Sequence, residues 1–163
     1  MLRPAGEEDR DWLEALLRLR WGGPTQVMNG EVYRPADLPG FVAEIAGDRV
    51  GYVCLRVLGD RSEIGLLDAV RPKIGVGGAL VEAAAADARE RGCRTLVAVT
   101  TNDNRNAQAF YEHLGFRLRE VRAGAVTEGR KLKPSISLTG EDGTPITDEL
   151  EYELSLEPAG GAT

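Results

Sequence analysis

The feature that most constrains this fold is a nearly unbroken apolar strand, which is followed by glycines and then by an alanine-rich helix. Residues 61–70 read "RSEIGLLDAV", which is typical of a strand buried on both faces. Gly75, Gly77 and Gly78 follow, and the run "ALVEAAAADARERG" predicts a helix that ends at Gly92. Because a strand buried on both faces needs cover on each side, this stretch predicts a sheet with helices on its faces.

The whole chain is predicted to follow the order β-α-loop-β-β-β-α-β-α-β-β. Helices and strands alternate only in the middle of the chain, which favours a mixed sheet over a doubly wound parallel one. The predicted fold class is therefore α/β of the mixed α+β kind, with a central, mostly antiparallel sheet flanked by helices. The predicted elements are a strand at 2–5, a helix at 7–21, a surface loop at 25–40, strands at 41–47 and 48–59 around a Gly47-Asp48 turn, a strand at 94–101, a helix at 104–115, a strand at 116–126, and two strands within 133–156 around an Asp142-Gly143 turn.

Length and composition place the chain among globular proteins. Its 163 residues are 42% hydrophobic and 28% charged, which predicts one domain over residues 1–157 with a frayed tail at 158–163. The formal net charge of −6 argues against nucleic-acid binding and slightly favours a cationic small substrate. No apolar run approaches the roughly 18 residues of a membrane helix, and the acidic start lacks an apolar signal region. We therefore expect a cytoplasmic protein that does not bind membranes.

The cysteines and the histidine give no indication of a metal site. Cys54 and Cys93 each lie in or beside an apolar segment, so we expect both to be buried, reduced thiols. His113 is the single histidine, and the sequence has no CxxC pair or Cys/His cluster, so no metal is expected. His113 itself is predicted on the solvent side of its helix.

The glycine stretch between strand and helix has two interpretations. Backbone N–H groups at the start of a helix suit phosphate, and glycines allow a pyrophosphate to approach the backbone. The stretch is not a Walker loop, because no Gly-Lys-Ser/Thr follows, and Leu80 stands where the third glycine of GxGxxG would be. Taken alone, it is equally a plain turn between a strand and a buried helix.

A second motif follows about thirty residues later. Residues 102–116 read "NDNRNAQAFYEHLGF" and match N-x-x-A-x-x-F-Y-x-x-x-G-F. Together with "GVGGAL", this resembles the GCN5-related N-acetyltransferase superfamily. The resemblance covers residues 1 to about 120 in element order, and the tail resembles a bacterial subgroup whose acceptor is unknown. Pro72 departs from the pattern, since the family usually has Gln or Arg there, so one phosphate contact is either missing or supplied by Arg71 or Lys73.

The resemblance implies acetyl-CoA as co-substrate. Leu67 and Ala69 would pair by their backbone with the pantetheine amides as an extra strand. Asn104 would hold the cofactor arm or, alternatively, cap the helix that follows. The implied cofactor-binding residues are Leu67, Ala69, Val70, Gly75, Val76, Gly77, Gly78, Ala79, Asn104, Ala107 and Phe110.

Tyr111 is the predicted general acid. A phenol with a pKa of about 10 is protonated at neutral pH and can give a proton to a leaving thiolate. The alternative is a core tyrosine whose hydroxyl makes a structural hydrogen bond. Two carboxylates compete as general base: Glu63 resembles the glutamate of some family members, and Asp68 interrupts an apolar run. Each is otherwise a structural or surface carboxylate.

Other residues are weaker candidates for the acceptor side. Asp148 and Glu149 are expected on a solvated face, with a position facing the acceptor as the alternative. Trp21, Tyr33 and Phe41 either line the acceptor pocket or pack the long loop onto the core.

The predicted function is acetyl transfer from acetyl-CoA to a primary amine of a small molecule or peptide. No cysteine stands in a motif that would make it a covalent carrier, so we expect direct attack in a ternary complex. The alternative is a non-catalytic CoA-binding regulatory or interaction module on the same fold. A homodimer is expected only by analogy with relatives.

Overall fold

The computed structural model of the chain describes residues 1–70 and 75–157. Seven strands form one sheet in the order β1-β4-β5-β6-β7-β9-β8, and β2 and β3 form a separate hairpin. The strands are β1 Leu2–Pro4, β2 Gln26–Met28, β3 Glu31–Tyr33, β4 Gly40–Ile45, β5 Asp48–Leu58, β6 Arg61–Ala69, β7 Thr95–Thr101, β8 Arg117–Arg122 and β9 Glu149–Ser155; the helices are α1 Arg10–Arg20, α2 Val76–Glu90, α3 Arg105–His113 and α4 Ala125–Gly129.

The predicted fold class is confirmed. Strand β6 pairs with β7 in parallel, whereas β1–β4, β4–β5, β5–β6 and β8–β9 are antiparallel. The described chain forms two compact units, one from residues 1–7, 38–97 and 154–157 and the other from residues 8–37 and 98–153. The single domain predicted over residues 1–157 stays a prediction. The tail predicted to be frayed, residues 158–163, lies outside the described residues.

In the first unit, helix α2 packs on strands β1, β4, β5 and β6. Its buried face carries small and branched apolar side chains at helical spacing, namely Val76, Leu80, Val81, Ala84, Ala85 and Ala88. Gly51 on β5 lets the helix approach closely. A Cβ at this position would lie 2.6 Å from Cγ1 of Val76 and 2.8 Å from Cδ1 of Leu80. The start of α2 is therefore seated against a glycine.

The second unit contains α1, the β2–β3 hairpin, α3, β8, α4 and most of β9. Helix α1 buries Leu13, Leu16 and Leu17 along one side. The hairpin turns at Asn29 and Gly30, whose φ angles of 51° and 76° are both positive, as a type I′ turn requires.

Three predicted elements are wrong. The loop predicted at 25–40 contains the β2–β3 hairpin, because Asn29-Gly30 is a turn signal flanked by residues that pair. The strand predicted to reach residue 126 ends at Arg122, since Gly124 takes φ 74° and α4 starts after it. The hairpin predicted within 133–156 is reduced to one bridge, Thr139 to Pro145, and a single strand, β9. The turn between β4 and β5 lies at Ala46 and Gly47, which both have a positive φ, one residue earlier than the predicted Gly47-Asp48 turn.

The expected state of the cysteines is confirmed: Cys54 and Cys93 are buried and free. Burial raises the pKa of the Cys54 thiol to about 12, against which weak hydrogen bonds with Tyr52 and the Leu66 backbone act. At neutral pH Cys54 is therefore a protonated core thiol and a poor nucleophile. His113 is exposed, as predicted.

We expect Gly51→Ala to lower the free energy of unfolding by about 1–3 kcal/mol, as overpacking of a core does. The stiff, β-branched Val76 has little freedom to move away from the new methyl group. Chemical denaturation measures the effect. Gly78→Ala is the matched control, because a Cβ there would meet nothing within 4 Å, and alanine favours the helix. Equal stabilities for the two variants would show that the close approach at Gly51 is not required.

Candidate active site

Strand β6 carries several predicted site residues, and its two sides differ. On one side it pairs with β5 along its length, from Leu58↔Arg61 to Gly51↔Ala69. On the other side, the described register with β7 covers only Arg61, Ser62 and Glu63. The part of β6 from residue 64 to 69 therefore continues without a registered β7 partner among the described residues. A backbone edge of this kind can accept an extended ligand as an added strand.

A β-bulge lies in the middle of β6. The register passes from Cys54↔Leu66 to Leu55↔Ile64, so Gly65 is the extra residue. Bulges re-aim the residues beyond them and are frequent beside active sites. Leu67 and Ala69, the residues predicted to pair with pantetheine, both lie beyond this bulge.

The two candidate bases sit in different surroundings on β6. The Glu63 carboxylate lies 3.5 Å from Nη1 of Arg56 and 3.6 Å from Nη2 of Arg61. Arg56 stands opposite Glu63 on β5, so the contact between them is a cross-strand ion pair, whereas Arg61 lies on the same strand as Glu63. Asp68 is buried and stands opposite Tyr52 of β5, which matches its prediction as a buried carboxylate.

The glycine stretch forms the N-terminal end of α2. Gly75 takes φ 80°, in the left-handed region, and its carbonyl accepts the amide of Ala79 to close the first turn. The N–H groups of Val76, Gly77 and Gly78 belong to the first turn, which has no partners for them within the helix. No acidic residue lies in that turn, and a Cβ on Gly75 or Gly78 would meet nothing within 4 Å. The turn can therefore receive an anion; Arg71, Pro72 and Lys73 lie outside the described residues.

Asn104 caps helix α3. Its Oδ1 accepts the amide of Ala107 at 3.0 Å, so the capping role that was the alternative in the sequence is present. Ala107 and Phe110 are half-buried on the same helix. Whether Asn104 also holds the cofactor arm stays a prediction.

Tyr111 lies near the end of α3, surrounded by aromatic rings. Phe110 and Phe116 contact it edge to face, each with ring centroids 5.2 Å apart, and Tyr152 of β9 lies at 6.2 Å. The side chain is only 6% exposed, yet its hydroxyl has no hydrogen-bond partner among the described residues. The structural hydrogen bond of the alternative interpretation is therefore absent from the described chain. Burial raises the pKa of Tyr111, so the phenol is protonated at neutral pH.

The solvated face expected for Asp148 and Glu149 is wrong for Glu149, which is only 5% exposed. Its carboxylate accepts the Asn29 amide at 3.0 Å and Nε of Arg122 at 2.9 Å. Asp148 is half-buried and accepts the Gly124 amide at 2.9 Å. Glu149 is buried because β8 places Arg122 directly opposite it.

Lys133 was not predicted from the sequence as a buried residue. Its side chain is buried, at 8% exposure, and Nζ donates to the Trp21 carbonyl at 2.6 Å, just beyond the end of α1. Ser135 donates to the neighbouring Gly22 carbonyl at 3.1 Å. Burial lowers the pKa of Lys133, because the ammonium is disfavoured away from water. No local pattern predicts such a contact, because its partners are 112 residues apart.

Arg130 donates hydrogen bonds to the backbone of the irregular stretch between β8 and β9. Its guanidinium donates to the carbonyls of Ser137 and Ile146 at 2.6 Å and of Ile136 at 3.3 Å. Asn102 adds bonds from the other direction, with Oδ1 accepting the amides of Thr147 and Asp148 at 3.0 Å. Side chains thus satisfy the backbone of a stretch that has little regular secondary structure.

The described residues contain neither a group of metal ligands nor a helix that could span a membrane. Within residues 1–70 and 75–157, no three His, Cys, Asp or Glu side chains are grouped so as to hold a metal ion. In the same ranges, no helix is both long enough and apolar enough to cross a bilayer.

Comparison with known proteins gives matches over most of the chain. Residues 7–116 match the acetyltransferase (GNAT) family. Two uncharacterized proteins of Bacillus subtilis strain 168 are similar: YxbD, 35% identical over 90% of this chain and 93% of its own length, and YdhI, 32% identical over 94% and 97%.

Solved structures show the same fold. The ribosomal-protein-S18-alanine N-acetyltransferase of Escherichia coli aligns over 100% of this chain and 97% of its own, with a TM-score of 0.69 and 18% identity. A GNAT family acetyltransferase of Elizabethkingia anophelis with acetyl-CoA bound aligns over 95% and 97%, with a TM-score of 0.69 and 16% identity.

We expect the stabilising effect of Lys133 to grow with pH. Its pKa is lowered in the folded state, so between that pKa and the ordinary value of about 10.5 the unfolded chain binds more protons. The free energy of unfolding of the wild type should therefore rise through this window relative to Lys133→Met, with a slope below about 1.4 kcal/mol per pH unit. Urea denaturation from about pH 8 to about pH 10 measures it.

Lys131→Met is the matched control, because this neighbouring lysine is 73% exposed and pairs with exposed Glu128. Its free energy of unfolding should keep a constant offset from that of the wild type. A constant offset for Lys133→Met as well would contradict the buried ammonium.

Proposed function

Because the chain belongs to the acetyltransferase (GNAT) family, we propose that it is an acetyl-CoA-dependent N-acetyltransferase acting on a primary amine. The observation that carries the proposal is the Tyr111 hydroxyl. The side chain is nearly buried, but its hydroxyl oxygen keeps exposed surface and has no hydrogen-bond partner among the described residues. A hydroxyl placed in this way is open to donate a hydrogen bond to a ligand.

Acetyl-CoA would be held at two places in the first unit. The first-turn amides of α2, at Val76, Gly77 and Gly78, would take the pyrophosphate, favoured by the helix dipole. The edge of β6 that has no registered β7 partner among the described residues, at Leu67 and Ala69, would pair with the pantetheine amides. The Elizabethkingia structure holds acetyl-CoA and a Bacillus subtilis acetyltransferase of the same fold holds CoA, which supports this choice of co-substrate.

The reaction would proceed by direct attack. The neutral amine nitrogen attacks the thioester carbon, and the C–S bond breaks as the tetrahedral intermediate collapses. A β6 amide would stabilise the oxyanion. The amine proton passes to a base, Glu63 or Asp68, and the departing sulfur takes a proton from Tyr111. Cys54 is an unsuitable acyl carrier, since burial keeps its thiol protonated.

The raised pKa of Tyr111 limits how it acts as an acid. Full proton transfer from so weak an acid to a thiolate is uphill in the empty protein. Tyr111 would therefore act first as a hydrogen-bond donor, stabilising negative charge as it develops on sulfur, with proton transfer completed as the C–S bond breaks. A role of this kind needs the hydroxyl. Phenylalanine at this position would keep the ring and its packing but could not perform the role.

The acceptor would be an amine on a small molecule or peptide. The net charge of −6 slightly favours a cationic molecule. Trp21, Tyr33 and Phe41 are half-buried and stay candidates for the acceptor side. Cytoplasmic location and a homodimer also stay predictions.

The first test is cofactor binding by Gly77→Glu. Acetyl-CoA at about a hundredfold excess over Kd should stabilise the wild type by roughly 2.7 kcal/mol, seen as a rise in Tm. The new carboxylate would occupy the phosphate position, so the variant should show no rise. Ala86→Glu is the control, since it adds the same charge to an exposed position of α2. A full rise in the Gly77 variant would mean that this turn is not the phosphate site.

The second test is Tyr111→Phe, assayed by CoA release with a panel of primary amines. We expect kcat to fall by about ten- to a hundredfold with KM for acetyl-CoA unchanged, as for loss of a proton donor. An unchanged Tm for Tyr111→Phe would show that the fall in kcat comes from the missing hydroxyl and not from unfolding. An unchanged kcat would remove Tyr111 from the mechanism. CoA binding without turnover of any amine would favour the non-catalytic module.

A further inference from the structure

Tyr111 has three aromatic neighbours among the described residues, and they differ in origin. Phe110 precedes it in α3, and Phe116 follows the helix by three residues. Phe110 lies in α3 itself, and Phe116 lies between α3 and the start of β8. Tyr152 comes from β9, with its ring tilted by 32° against that of Tyr111. Tyr152 is the neighbouring ring that is carried by a strand.

Tyr152 is itself firmly held. It is 2% exposed and stands opposite Leu118 in the β8–β9 register. The preceding residue, Glu151, is also buried and accepts Nη1 of Arg122 at 2.9 Å. Strand pairing and this ion pair fix the backbone on which Tyr152 is carried.

The link between the two tyrosines is contact between their rings. Neither the Tyr111 hydroxyl nor the Tyr152 hydroxyl has a hydrogen-bond partner among the described residues. Burial raises the pKa of both phenols, so both are protonated and neutral at physiological pH. Aromatic pairs at these separations have preferred geometries, so loss of one ring frees the orientation of the other.

We infer that Tyr152 is a positioning residue for Tyr111, with its ring holding the Tyr111 phenol in the orientation needed to donate to the departing sulfur. The catalytic consequence rests on the proposed acetyl transfer. The structural part, restriction of the Tyr111 ring by Tyr152, does not. Sequence analysis did not single out Tyr152, because apolar alternation along β9 indicates burial without naming a neighbour.

The first measurement needs no acceptor. The chain has four tyrosines, so ring-labelled tyrosine gives few NMR signals, and Tyr111→Phe identifies that of Tyr111. Tyr152→Leu removes the ring, and we expect Tyr111 to flip at least about tenfold faster, because a packed ring must wait for its neighbours to move. Tyr152→Phe keeps the ring and should leave the flip rate unchanged.

Leu150→Ala is the matched control, because Leu150 is a buried residue two positions earlier on the same face of β9. It loosens the same layer without removing an aromatic ring. If Leu150→Ala speeds the Tyr111 flip as much as Tyr152→Leu does, or if Tyr152→Leu leaves the rate unchanged, the inference is overturned. Tyr152→Met fills more of the space and replaces the leucine variant if that variant does not fold.

The second measurement follows acetyl transfer to an amine identified by the panel. Tyr152→Leu should lower kcat by about tenfold or more while KM for acetyl-CoA is unchanged, since a misplaced catalytic group slows chemistry without weakening cofactor binding. Tyr152→Phe should restore kcat. Equal loss in both variants would assign the effect to the Tyr152 hydroxyl and overturn the ring-based inference. Failure of every amine would count against acetyl transfer, while the flip rates would still decide the positioning role.

Discussion

The close approach of helix α2 to strand β5 is the contact on which the first unit depends. The glycine at position 51 leaves room for the start of the helix, since a Cβ there would lie 2.6 Å from Cγ1 of Val76. Val76, the first residue of α2, is seated there, and the glycine turn lies immediately before it. A packing contact in the core therefore fixes the place of the first-turn amides of α2. Strand β6 forms hydrogen bonds to β5 along one of its edges. Strand β5 therefore also fixes the position of the opposite edge of β6, which is available to an extended ligand.

The second unit is organised differently, by buried polar side chains. Glu149, Arg122 and Lys133 are each mostly buried, and their partners include backbone groups of Asn29 and Trp21. Removing one partner of a buried charge is costly, because the other charge is left uncompensated. These contacts make the long connection between β8 and β9 a defined structure with few hydrogen bonds between strands. Its geometry depends on specific side chains more than on backbone propensity.

The sequence predicted those parts of the fold that depend on interactions between residues close together in the chain. The apolar run of β6, the alanine-rich α2 and the Asn104 cap of α3 are specified by neighbours in sequence, and the two motifs sufficed for the family. The burial of Glu149 was not predictable in this way, since its partner Asn29 is 120 residues distant. The hairpin at Asn29-Gly30 was obscured by the glycines and prolines around it. In the candidate site, the sequence indicated Tyr111 but not its dependence on Tyr152, which a fold must bring near.

The contact between Lys133 and Trp21 has a consequence for synthesis on the ribosome. Both compact units are assembled from separate stretches of chain, and the second needs residues 8–37 together with residues 98–153. When α1 leaves the ribosome, the residues that complete its unit have not yet been made. Its apolar face, with Leu13, Leu16 and Leu17, must wait for most of the chain to be translated. The nascent protein therefore exposes the apolar face of α1 until late in translation. Chaperones bind such exposed apolar surface and prevent its aggregation.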